Sequence, residues 1–99
     1  MKTIRFTKVE DISTHGDSSV IPVGYWAEGI AASLPEVGQP FRFARTARAP
    51  RLGEEGKRIE APGIFTTSAV QSVTPYPEDK NVLQVVTSNS IWNLQEISD

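Results

Sequence analysis

The chain contains no cysteine. That excludes disulfides, thiolate nucleophiles and most structural zinc sites together, and it fits a reducing, cytoplasmic setting. Histidine is nearly as scarce. His15 is the single one, with only Asp11 and Asp17 close to it in sequence, whereas a metal centre wants at least three convergent ligands. His15 therefore reads as a solvated loop residue, and no metal is expected. Long hydrophobic runs are missing as well. Met1 to Lys8 alternates charged and apolar side chains, where a signal peptide needs an uninterrupted apolar stretch. No segment approaches the roughly 20 apolar residues that span a bilayer. The expectation is a soluble, cytoplasmic protein with no membrane partner.

The motifs that carry common chemistries are absent too. There is no Gly-x-Ser-x-Gly elbow, no Gly-x-x-x-x-Gly-Lys loop and no Gly-x-Gly-x-x-Gly turn. Any hydrolytic triad would need His15 as its base. Glu54 and Glu55 are adjacent, so in regular structure they point in different directions and form no acid–base pair. No enzymatic activity and no cofactor are expected.

What the chain does have is β-strand pattern. Its 99 residues, 38% apolar and 22% charged, make one ordinary soluble domain spanning 1–99, with little volume to spare for a deep cleft. Residues 3–12 predict a first strand with Ile4 and Phe6 on one face, and Val9 and Ile12 break its alternation, which signals a bulge or an early end. Val20 to Tyr25 predicts a second strand, at an edge because Pro22 has no N–H to donate. Trp26, Ile30 and Leu34 fall at i, i+4 and i+8 before Pro35, the single helical hint. A turn or an apolar loop over a barrel end fits the same residues.

Phe41 to Thr46 predicts the next strand, with Phe41 and Phe43 on one face and in the core. From Ala47 the period is lost, and the Pro- and Gly-containing stretch through residue 58 predicts a long mobile loop. Pro62-Gly63 predicts a turn. Phe65 to Val73, Val82 to Thr87 and Ser90 to Ile97 follow as strands rich in β-branched residues, with Ser88-Asn89 as a two-residue turn. Trp92 and Leu94 share one face and Ile91 and Ile97 lie offset on the other, so an apolar surface is left for another subunit or for residues 26–34. A homo-oligomer is one outcome of that pattern.

The pattern Gly63-x-Phe65-x-Thr67-Ser68-x-Val70, a turn, then Val85-x-Thr87-x-Asn89-Ser90-x-Trp92-x-Leu94 resembles that of small bacterial and phage β-barrel proteins without an assigned activity. The resemblance covers about a third of the chain. It implies a small barrel of bacterial, phage or mobile-element origin and assigns no residue a role.

Charge supplies the one functional lead. The net charge is −2, yet residues 42–58 hold Arg42, Arg45, Arg48, Arg51, Lys57 and Arg58 against Glu54 and Glu55, a local +4 that leaves −6 for the remainder. Guanidinium forks suit phosphates and carboxylates, and Phe41 and Phe43 beside them suit single-stranded nucleic acid. The plainer reading is a solvated loop with surface ion pairs. Tyr25, Trp26, Tyr76 and Trp92 are candidate interface anchors, or core and barrel-end residues. The expected fold is all-β: a small antiparallel, partly open barrel, SH3-like or similar, of five to six strands with one long basic loop and at most one short helix. The expected function is a non-enzymatic binding module for a protein partner. A nucleic-acid-binding barrel using residues 42–58 is the alternative.

Overall fold

A computed structural model describes residues 1–12, 21–50, 54, 58–79 and 81–98. Six strands run in chain order: β1 (Lys2–Asp11), β2 (Trp26–Ala31), β3 (Pro40–Arg48), β4 (Ile59–Pro75), β5 (Val82–Thr87) and β6 (Ser90–Ser98). Each pairs antiparallel with its sequence neighbour, and β6 returns to pair with β1, so one sheet closes in a ring. No helix occurs among the described residues. The all-β expectation therefore holds. The ring is irregular, because register shifts interrupt four of its six pairings.

The interior is aromatic. Phe6 lies at its centre, stacked on Trp92 at 4.5 Å and within 6.0 Å of Phe41, Phe43 and Phe65. Ile4, Val70, Val85 and Leu94 fill the space around these rings. Phe41 and Phe43 are thus core residues, as their alternation predicts, and so is Trp92, which removes it from the candidate interface anchors.

Several local expectations need correction. The helical spacing of Trp26 and Ile30 belongs to a strand, β2. Offsets of four are also multiples of two, so these residues share a strand face equally well. The sterics decide: Ala27, Gly29 and Ala31 turn inward against bulky rings. A Cβ on Gly29 would sit 2.1 Å from the Ala44 carbonyl oxygen, so only glycine permits this approach of β2 to β3.

Residues 21–25 form no strand. They turn, with Gly24 at φ +96°, and dock on β1 through Lys8, whose N–H donates to Tyr25 O and whose carbonyl accepts from Gly24 N. Pro62-Gly63 makes no turn but lies within β4. Arg45 pairs with Gly63 and Ala47 with Glu60, so Thr46 alone faces Ala61 and Pro62. This bulge is where a strand tolerates proline. The expected bulge at Val9 is present, as a register shift between Lys8 and Glu10 against β6. Ser88 and Asn89 join β5 to β6 without a positive φ. The connection is held instead by Thr87 Oγ1 donating to Ser90 O and by Ile12 N donating to Asn89 O. Basic residues begin before any loop does, since β3 continues to Arg48, and half of the expected mobile loop 47–58, residues 51–53 and 55–57, lies outside the described residues.

Candidate functional site

The six basic residues singled out in the sequence do not form one patch among those described. Arg48 is buried and grips Glu54 with both terminal nitrogens, at 2.9 and 3.1 Å, while also donating to Ala49 O. Its hydrogen bonds to Glu54 raise the guanidinium pKa, outweighing the opposing effect of desolvation. Arg58 Nη1 donates to Glu28 Oε1 at 2.5 Å, and its Nε lies 3.5 Å from Glu60 Oε2. Arg42 is exposed on the outer face of β3, beside a small hollow formed by residues 33–36 and the start of the strand. Arg51 and Lys57 lie outside the described residues, as does His15.

Arg45 is placed differently. Its side chain follows the inward parity of Phe41 and Phe43 but is only half-buried, lying against β4 near its register partner Gly63. Nε donates to Ala61 O at 2.7 Å, and Nη2 is 3.4 Å from the position a Gly63 Cβ would take. No carboxylate pairs with Arg45 among the described residues.

The guanidinium borders a cleft of about 920 Å³ between residues 21–25 and the β3–β4 pair. Tyr25 stacks on Phe65 at 6.4 Å within it, and Ile64, Thr66, Ala49 and Pro50 also line it. Arg45 is the sole charged side chain among the described lining residues. Ile64 is 62% exposed, and register sets it beside Ala44, which in turn pairs with Ile30 at 41% exposure. An apolar row thus leaves the cleft and crosses the outer face of β4, β3 and β2.

Two buried charges escaped the sequence reading. Lys8 points into the barrel, donates to Ile21 O at 2.7 Å and pairs with Asp11 at 2.5 Å, tying down the cleft wall. Glu28 accepts from Arg5 and Arg58 together, with the Arg5 guanidinium 4.4 Å from the Trp26 ring centre. Lys8 could have been suspected from its inward parity after Ile4 and Phe6, whereas Glu28 carried no signal because β2 itself was not read as a strand. Among the described residues no three His, Cys, Asp or Glu side chains group as metal ligands, and no helix is long and apolar enough to cross a membrane. The chain matches no protein-family model, no curated protein and no solved structure.

Proposed function

We propose that the protein is a non-enzymatic binding module that takes a protein partner at the Tyr25–Arg45–Phe65 cleft. One observation carries this reading. A guanidinium with no carboxylate partner among the described residues opens onto a cleft whose other described side chains are, apart from Thr66, apolar or aromatic. Aromatic and arginine side chains in a desolvated setting are the residues that most often anchor protein interfaces. The exposed row of Ile64, Ala44 and Ile30 supports the same reading, since it extends the apolar surface beyond the cleft.

A nucleic-acid ligand is supported less well. Arg48 and Arg58 already satisfy Glu54 and Glu28, and the chain as a whole is net negative. Affinity capture from native cells tests the proposal. A partner retained by the unmodified chain and lost from Tyr25→Ala and Arg45→Ala variants is the expected result. Identical captures by all three proteins would contradict it.

A further inference from the structure

Strand β4 is long enough to serve two partners in succession. Its residues 59–69 pair with β3, and Val70 to Pro75 pair with β5. Among the described residues, residues 59–68 therefore have a ladder neighbour on one side only, apart from Ser88 N donating to Ser68 Oγ. Most of this stretch is exposed. An unpaired strand edge offers a row of N–H and C=O groups to any extended chain laid beside it.

The cleft lies along that edge. Consecutive strand residues point to opposite faces, yet Ile64, Phe65 and Thr66 all line it. Three successive residues bordering one cleft fit a cleft that runs beside the strand. At the same place the Arg45 guanidinium lies against Gly63 and Ala61 of β4 and borders the cleft.

Building on the binding-module reading, we infer that the protein recognises an extended peptide segment of its partner by strand addition to β4 at residues 59–68. Backbone hydrogen bonds give register, apolar side chains of the peptide meet Tyr25, Phe65 and Ile64, and one carboxylate meets Arg45. Strand addition divides the work in this way: main-chain pairing supplies affinity, and pockets for alternate side chains supply specificity. The carboxylate follows from Arg45 being the sole charged group among the described residues of the lining.

A displayed library of random heptapeptides panned on the full chain tests this, with the best binder resynthesised as the probe. The selected peptides are expected to alternate apolar residues and to carry Asp or Glu at a fixed position. Backbone N-methylation at alternate residues of one parity should weaken the probe by about tenfold or more, while the other parity is tolerated. Arg45→Ala should cost roughly tenfold or more, with Arg45→Lys recovering part of it. The methylation result does not depend on how any protein variant folds. Equal tolerance of both methylated series, with affinity still lost in Tyr25→Ala, overturns strand addition and leaves the binding module standing. A library without binders overturns both. A concentration-dependent dimer joined through residues 59–68 assigns the edge to a second copy and overturns the peptide.

Discussion

Gly29 and Phe6 set the two steric limits of the barrel. At Gly29 the obstruction to a side chain is backbone, the Ala44 carbonyl, so it cannot swing aside. Gly29→Ala is therefore expected to cost about 3 kcal/mol or more, as forced overpacking with a backbone shift does. Phe6 packs against four rings, and Phe6→Ala is expected to cost about 3–5 kcal/mol. Urea titration checks both, and a loss below about 1 kcal/mol at either position would contradict the packing described. Glu28 is a milder case. Its side chain is 5% exposed but Arg5 and Arg58 reach solvent, so they rehydrate when it is removed, and Glu28→Ala should cost only about 1–2 kcal/mol. Arg48 adds no pH dependence near neutrality. A cation whose pKa is raised on folding contributes fully below its ordinary value and loses that contribution only as pH climbs through the raised one.

At the scale of elements, alternation was legible wherever a strand has one apolar face. It located β1, the start of β3, β5 and β6, and the buried pair Phe41 and Phe43. It failed at β2, where the inward residues are alanine and glycine and the outward ones Trp26, Glu28 and Ile30 invert the usual pattern. It failed again at Pro62-Gly63, because a bulge and an open edge tolerate residues that elsewhere end a strand. The cleft was legible only in its parts. Tyr25 and Arg45 were singled out, but their meeting depends on Lys8 docking residues 21–25, a contact between segments that no local pattern encodes. Contacts at the end of β3 govern protease access. The Ala49 N–H donates to Trp26 O and Arg48 is engaged by Glu54, so limited trypsin digestion should spare the Arg48–Ala49 bond. Early cleavage there would show that β3 ends sooner.

For the whole molecule, the net charge of −2 and the carboxylates bound to Arg48 and Arg58 weigh against polyanions. Binding to single-stranded nucleic acid at about 0.15 M salt is expected to be undetectable by fluorescence anisotropy, since exposed charges beyond roughly 8 Å are screened there. Micromolar binding would restore the nucleic-acid reading and the role of residues 42–58. The central claim is that the ring of strands is closed while, among the described residues, the edge of β4 at residues 59–68 is unpaired, as the proposed strand addition requires. Residue-resolved amide hydrogen exchange on the free chain tests it most directly. Closure requires slow exchange in both β1 and β6, whose pairing completes the ring. An open rim requires the amides of residues 63–66, where the register with β3 is uninterrupted, to alternate, with those facing β3 slow and those facing outward fast. Uniformly slow exchange along that stretch would contradict the account, because it would mean that the edge is already paired.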